Sequence, residues 1–319
     1  MKIVLCQEGF RAIEEMLQGL LPDGEVVACS PENISTVGKD AEVLIPAMTP
    51  LADAELSLPK LRLVQQFGAG LDTVDIPTAS RHDVYVANVP AAGTGNAESV
   101  AEVAVMLMLT LARQFPKAQQ NIRDGKLSVP TGLSLKGRTA LIVGYGGIGR
   151  EVARRLGGFE MTVHAVSRSG PKNTEAEKSI PVDAHSTQAG LHDLLPQADF
   201  VILAAPLNDD TRGLIGSTEF ALMKPAAFII NVARGGVIDY EALLVALRSG
   251  QIMGAGLDVF WQEPVNPNDQ IFAYNVIGTP HIAGATDLSF KGIAARVAEN
   301  IRSVGRGEAP NNCVNIQDL

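Results

Sequence analysis

The first residues in this chain able to do recognisable chemistry are Gly144-Tyr145-Gly146-Gly147-Ile148-Gly149, entered from the apolar run Leu141-Ile142-Val143 and followed by a helical pattern. After a strand and before a helix, a GxGxxG segment suits phosphate. The first glycine permits the tight turn, and the second lets a pyrophosphate approach the backbone. The third lets helix and strand pack closely, with the phosphates at the helix N-terminus. Gly144, Tyr145, Gly146, Gly147, Ile148 and Gly149 are therefore read as a dinucleotide-binding turn; a plain glycine-rich turn is the alternative. At the tip of the next strand, where an acidic side chain would accept a ribose 2′-hydroxyl, the chain reads Ser167-Arg168-Ser169. A carboxylate there would repel a 2′-phosphate, whereas a guanidinium and two hydroxyls bind one. The expected cofactor is NADP(H), with NAD(H) the alternative, and Arg168 as a merely solvated side chain the competing reading.

These side chains need a frame, and the hydrophobic pattern supplies it. Short apolar runs, such as Ile3–Leu5, Val43–Ile45, Leu63–Gln66 and Val84–Ala87 early on and Ala140–Val143, Thr162–Val166, Phe200–Ala204, Phe228–Asn231 and Ala255–Asp258 later, alternate with helical stretches. That rhythm predicts parallel sheets covered by helices, an α/β protein. The predicted architecture is a Rossmann, doubly wound cofactor domain at 99–286 and a smaller flavodoxin-like substrate domain made of 1–98 plus 287–319. Ile293, Val297, Ile301 and Val304 recur at helical spacing in the last segment. A chain that crosses between domains twice would hinge over a cleft; a simple tail helix is the alternative.

Three further segments carry reactive side chains: Asn231-Val232-Ala233-Arg234-Gly235, Gly256-Leu257-Asp258-Val259-Phe260-Trp261-Gln262-Glu263-Pro264 and Thr279-Pro280-His281-Ile282-Ala283-Gly284. In this order and spacing, together with the glycine motif, they make nearly the whole chain resemble the D-isomer-specific 2-hydroxyacid dehydrogenases of glyoxylate/hydroxypyruvate reductase type. The resemblance implies a catalytic set of Arg234, Glu263 and His281. It implies cofactor contacts from Ala205, Pro206, Val232 and Ala233, and an Asp258 that binds the nicotinamide carboxamide. Phe67-Gly68-Ala69-Gly70-Leu71-Asp72 resembles the family loop whose backbone amides bind the substrate carboxylate, so Gly68, Ala69 and Gly70 join Arg234 and His281 as expected substrate contacts. A homodimer is implied in the same way.

The residue types suit that chemistry. Hydride attack on a ketone leaves negative charge on oxygen, and a histidine can give the proton that quenches it, or take one in reverse. A carboxylate beside the imidazole orients it and favours its charged form. An arginine can hold a substrate carboxylate and polarise the ketone. The other histidines, His82, His164, His185 and His192, lack such a context and are read as surface or packing residues. Glu263 as an ordinary loop acid, Arg234 as a helix-end partner and Asp258 as a strand-end cap are the structural alternatives.

Phosphoglycerate-type members tend to place cations in the first-domain loops, but Pro46-Ala47-Met48-Thr49-Pro50 carries no charge and no regulatory domain is expected after Leu319. The expected substrate is a small unphosphorylated 2-keto acid such as glyoxylate or hydroxypyruvate, with Met48 and Trp261 leaving room for a larger side chain. The alternatives are a phosphoglycerate dehydrogenase-like enzyme and a non-catalytic, nucleotide-sensing protein like the corepressors of the same fold. The chain's 319 residues, 46% hydrophobic and 19% charged, suit globular cores, and a net charge of −9 disfavours nucleic acid and anionic membranes as partners. The N-terminus reads as a first strand rather than a signal peptide. Only three cysteines occur, with no CxxC pair, so neither a disulfide framework nor a metal site is expected and a reducing cytoplasm is.

Overall fold

The computed structural model describes residues 1–171, 180 and 182–319. They form two compact units, Met1–Asn96 with Thr286–Leu319, and Ala97–Ala285. In the first unit β1 (Lys2–Leu5), β2 (Glu25–Ala28), β3 (Val43–Ile45), β4 (Leu63–Gln65) and β5 (Tyr85–Ala87) make one sheet in the order β2-β1-β3-β4-β5. All its pairings are parallel, with Ile3 opposite Val26 on one side and Val43 on the other. This is the flavodoxin-like order.

Both faces of that sheet are covered, so the strands read as continuous apolar runs rather than alternating ones. Ile3, Leu5, Val43, Ile45 and Leu63 face the helices Arg11–Leu20 and Asp287–Gly305, whose Ile13, Leu17, Ile293, Val297 and Ile301 complete one core. The terminal helix starts cleanly because Thr286 accepts the Ser289 N–H through its side chain. Val4, Cys6, Leu44, Val64 and Val86 face the opposite way, into a second core with Ile34 and Leu56. The exposed edge of β5 is closed by the chain's last residues: Cys313 bridges Ala87 antiparallel, and Val314 N–H donates to the Val86 carbonyl. Covering an edge in this way removes unpaired backbone groups.

The second unit holds β6 (Thr139–Val143), β7 (Thr162–Val166), β8 (Ala184–Ser186), β9 (Phe200–Leu203), β10 (Phe228–Asn231), β11 (Gly254–Leu257) and β12 (Val276–Gly278). Their order is β12-β11-β10-β9-β6-β7-β8, all parallel. It is the doubly wound Rossmann sheet with one strand added beyond six. Successive residues alternate between its faces: Leu141, Val143, Val201 and Leu203 on one, Ala140, Ile142, Phe200 and Ile202 on the other. The helix Asn96–Ala112 lays Leu107, Met108 and Leu111 on the second face.

Two strands were not expected from the pattern, β2 and β8, and both are sheet edges. β8 is Ala-His-Ser, only partly buried throughout, so it has no apolar run to betray it. No helix of the described residues is long and apolar enough to cross a membrane.

Candidate active site

Strand order reverses between β6, the first strand of the second unit, and its neighbour β9, so the crevice at their carboxyl ends is where an open α/β sheet takes its ligand. The glycine motif lies there. Gly144 has φ +102, a backbone few side chains adopt, and its N–H donates to the Val166 carbonyl at 2.8 Å. A Cβ on it would lie 2.4 Å from the Ala205 nitrogen, so only glycine lets this turn pass against the end of β9. At Gly149 a Cβ would meet the Gly144 carbonyl oxygen at 2.1 Å, which is the helix–strand contact the motif demands. Gly146 is different: a Cβ there would meet nothing within 4 Å. The helix Gly147–Gly157 starts over that open space without a side-chain cap and without an acidic residue in its first turn. Bare N–H groups facing a space cleared of side chains fit a pyrophosphate. A nicotinamide dinucleotide therefore fits these residues.

Around this turn the sheet brings Ala205-Pro206 from β9, Val232-Ala233 from β10 and Asp258 from β11 to one edge, since each follows the carboxyl end of its strand. Tyr145 is buried, and its ring packs edge-on to His185, with centroids 4.9 Å apart. His185 Nε2 also lies 2.8 Å from the Ser167 hydroxyl, while Arg168 and Ser169 are exposed. His185 thus packs on Tyr145 beside Ser167, one of the residues of the predicted ribose site. The parallel pairing that sets Ala165 beside His185 is what delivers it there.

The reactive trio lies within the second unit. His281 Nδ1 is 2.7 Å from Glu263 Oε2, and the other Glu263 oxygen accepts the Phe260 N–H at 2.9 Å. Burial pushes the Glu263 carboxyl up. The His281 hydrogen bond, the Phe260 N–H and the charges of His281 and Arg234 outweigh it, and together they hold the group below its usual range. An ionised carboxylate only accepts, so Nδ1 carries the hydrogen and Nε2 is the ring atom left to exchange a proton.

Arg234 is half-buried and donates to the Ala233 carbonyl at 2.9 Å. Its loop is clamped by Asn231, fully buried, whose side chain takes the Ala233 N–H and donates to the Arg234 carbonyl. Gly235 lets that loop touch the Glu263 turn, since a Cβ on it would lie 2.2 Å from the Phe260 carbonyl carbon. Trp261 belongs to the same join: its indole N–H donates to the Ile238 carbonyl at 2.7 Å, and its ring packs edge-on to Tyr240.

Asp258 is 1% exposed, and its carboxylate accepts from the Thr279 hydroxyl and from the N–H groups of Ile282 and Ala283. Its own carbonyl takes the His281 N–H at 2.8 Å. His281 has φ +53, a left-handed backbone that costs a non-glycine residue on the order of 1–2 kcal/mol. Asp258 is thus the group that holds the His281 loop in this conformation. In the first unit, Gly68 (φ +134), Ala69 and Gly70 form the loop that follows β4.

Residues 105–283 match the family model for the D-isomer specific 2-hydroxyacid dehydrogenase, NAD binding domain. Glyoxylate reductase of Thermococcus litoralis is 37% identical over 289 residues, 87% of this chain and 84% of that protein. Glyoxylate reductase of Korarchaeum cryptofilum is 38% identical over 286 residues, 87% and 83% of the two chains. Among solved structures, the NADPH-dependent glyoxylate/hydroxypyruvate reductase of Sinorhizobium meliloti, in complex with NADP and malonate, superposes with a TM-score of 0.84. It is 27% identical, and the match covers 98% of this chain and 96% of that one. A Rossmann sheet with such relatives makes this protein an NAD(P)-dependent oxidoreductase. It belongs to the D-isomer-specific 2-hydroxyacid dehydrogenase family.

Proposed function

We propose that this enzyme is an NADPH-preferring reductase of a small, unphosphorylated 2-keto acid such as glyoxylate or hydroxypyruvate, with Arg234, Glu263 and His281 as its catalytic residues. The observation that carries the reading is the Glu263–His281 pair at 2.7 Å with its carboxylate held ionised. Bound NADPH supplies the hydride. Arg234 neutralises the substrate carboxylate and draws electron density toward the ketone oxygen. The charged His281 ring, oriented and stabilised by Glu263, gives its Nε2 proton to that oxygen as negative charge gathers on it and is left as a neutral imidazole. Gly68, Ala69 and Gly70 take the carboxylate through backbone N–H groups. Gly144 to Gly149, Ala205, Pro206, Val232 and Ala233 hold the nucleotide. Asp258, buried and engaged by Thr279, Ile282 and Ala283, would accept from the carboxamide only with the lone pairs that the His281 loop leaves over.

The preference for NADPH rests on Arg168, exposed between two serines with no carboxylate at the end of β7. The similarity to an NADPH-dependent reductase supports it further. The test is cofactor oxidation by the purified protein, NADPH against NADH, over glyoxylate, hydroxypyruvate, pyruvate and bulkier keto acids. Arg168→Ala in the same assay is expected to raise the KM for NADPH about tenfold, the loss of charge-assisted bonds to one phosphate, and to leave NADH unchanged. A wild type faster with NADH would refute the cofactor assignment and spare the mechanism. Tight NADPH binding without turnover on any acid would point to nucleotide sensing instead.

We also assign a homodimer and a cytoplasmic setting. Phe115, Ile122, Leu127 and Val129, close together along the chain, are each exposed, and apolar side chains of this kind suit contact with a second copy of the chain. Light scattering in solution should give twice the 33.7 kDa chain mass, and a monomer at micromolar concentration would reject the dimer. The thiols of Cys6, Cys29 and Cys313 are all free, and burial pushes that of Cys6 up to about 12, as suits inert cysteines in a reducing compartment.

A further inference from the structure

Asn88 belongs to none of the motifs above. It follows β5, half-buried, and its Nδ2 donates to the Ala69 carbonyl at 2.8 Å. The next residue, Val89, donates its backbone N–H to the Gly68 carbonyl, also at 2.8 Å. Two consecutive carbonyls of the loop after β4 are therefore pulled toward one short segment.

The consequence follows from peptide geometry. The bonds joining Gly68 to Ala69 and Ala69 to Gly70 are trans. In a planar trans peptide the N–H points opposite to the carbonyl of the preceding residue. Fixing the Gly68 carbonyl aims the Ala69 N–H away from the Asn88–Val89 segment, and fixing the Ala69 carbonyl does the same for the Gly70 N–H. Among the described residues neither N–H has an acceptor. A Cβ on Gly68 would meet nothing within 4 Å, so the loop is open around that residue. Successive N–H groups left unpaired on an open loop make an anion-binding concavity.

The two anchors are not equal. Val89 acts through its backbone and would do so with almost any side chain. The Ala69 carbonyl depends on Asn88 alone, and it needs a donor of that length. At the start of the loop Gln66 takes the Phe67 N–H at 2.8 Å and donates to the Ala47 carbonyl at 3.0 Å, which fixes the entry but not the peptide between Ala69 and Gly70. Without Asn88, that peptide is free to rotate and present its carbonyl where the Gly70 N–H should be.

We propose that Asn88 is a positioning residue for substrate recognition: by holding the Ala69 carbonyl it keeps the Gly70 N–H turned toward the carboxylate of the keto acid. The inference rests on the reading of Gly68–Gly70 as the carboxylate loop. It separates Asn88 from the chemistry, because Asn88 touches neither the ketone nor the nucleotide in this scheme. The conservative replacement is informative here. Aspartate has the shape of asparagine, but an ionised carboxylate cannot donate to a carbonyl and would repel it.

The test is steady-state kinetics of wild type, Asn88→Asp and Asn88→Ala with glyoxylate and NADPH. Inhibition by oxamate, NADPH affinity by fluorescence and the thermal midpoint are measured on the same preparations. In both variants the KM for glyoxylate and the Ki for oxamate are expected to rise together, about tenfold, the loss of one hydrogen bond that supports an ion contact. The kcat and the NADPH dissociation constant stay at wild-type values. If KM and Ki stay at wild-type values in a variant that unfolds at the wild-type midpoint, Asn88 positions nothing and the inference fails alone. If kcat and NADPH affinity fall together with KM in both variants, the role is general folding and the inference fails as well. A wild type that neither turns over glyoxylate nor binds oxamate would sink the carboxylate-loop reading itself, a result distinct from either of these.

Discussion

Replacing His281 by alanine is expected to lower kcat on a 2-keto acid by roughly 10²–10⁴-fold, the range a positioned general acid contributes, while NADPH binds as before. The asymmetry has a structural cause. The imidazole contributes no backbone to the nucleotide turn, and the loop that carries it is held by Asp258 through Thr279, Ile282 and Ala283 rather than by the ring. Removing the ring takes away the proposed proton donor and leaves its scaffold. Glu263 then has no imidazole to orient, so adding Glu263→Gln to the His281 variant should cost little more, as residues acting as a unit are not additive. Steady-state turnover combined with fluorescence titration of NADPH checks both halves. A His281→Ala enzyme that kept kcat within tenfold of wild type would show that the proton comes from elsewhere.

The second large effect divides the glycines of the nucleotide turn by what each is for. Gly149→Ala drives a Cβ into the Gly144 carbonyl oxygen at 2.1 Å and toward Ile142 Cγ2 at 3.2 Å. The helix must move off the sheet, and overpacking of this kind costs about 1–3 kcal/mol of stability. A displacement near 1 Å at the phosphates should weaken function about 100-fold. Gly146→Ala should behave in the opposite way in the fold. Its φ of −86 suits any residue, and its Cβ would meet no protein atom within 4 Å. The expected stability change is within about 0.5 kcal/mol, as for an unobtrusive surface substitution. NADPH affinity should nonetheless collapse, because the space that Cβ fills is the one assigned to pyrophosphate. Thermal unfolding and NADPH titration of the two variants separate helix packing from ligand approach. Normal NADPH binding by Gly146→Ala would mean that no phosphate passes over this residue.

Much of this protein was legible along the chain. Parallel strands buried on both faces are written as apolar runs, and the glycine motif records two steric necessities, at Gly144 and Gly149, that the sheet later imposes. Arg234, Glu263 and His281 could be proposed as a catalytic set because each lies in a local segment with a family resemblance. β8 could not, because an edge strand of Ala-His-Ser buries too little to need an apolar pattern. With β8 went the setting of His185, which reaches Ser167 only through pairing with β7.

What the sequence determined by itself was the kind of element at each place and the chemical inventory at the strand ends, since periodicity and short motifs are local properties. What the tertiary structure alone decided was which distant groups hold that inventory in position. Asp258 supports His281 across a gap of chain closed by neighbouring parallel strands, and Gly235 admits the Phe260 backbone that brings the Glu263 turn to the Arg234 loop. Asn88 reaches Ala69 because β4 and β5 lie side by side. Side-chain-to-backbone bonds between such segments follow from register and close approach, and neither leaves a period or a spacing for a sequence to show.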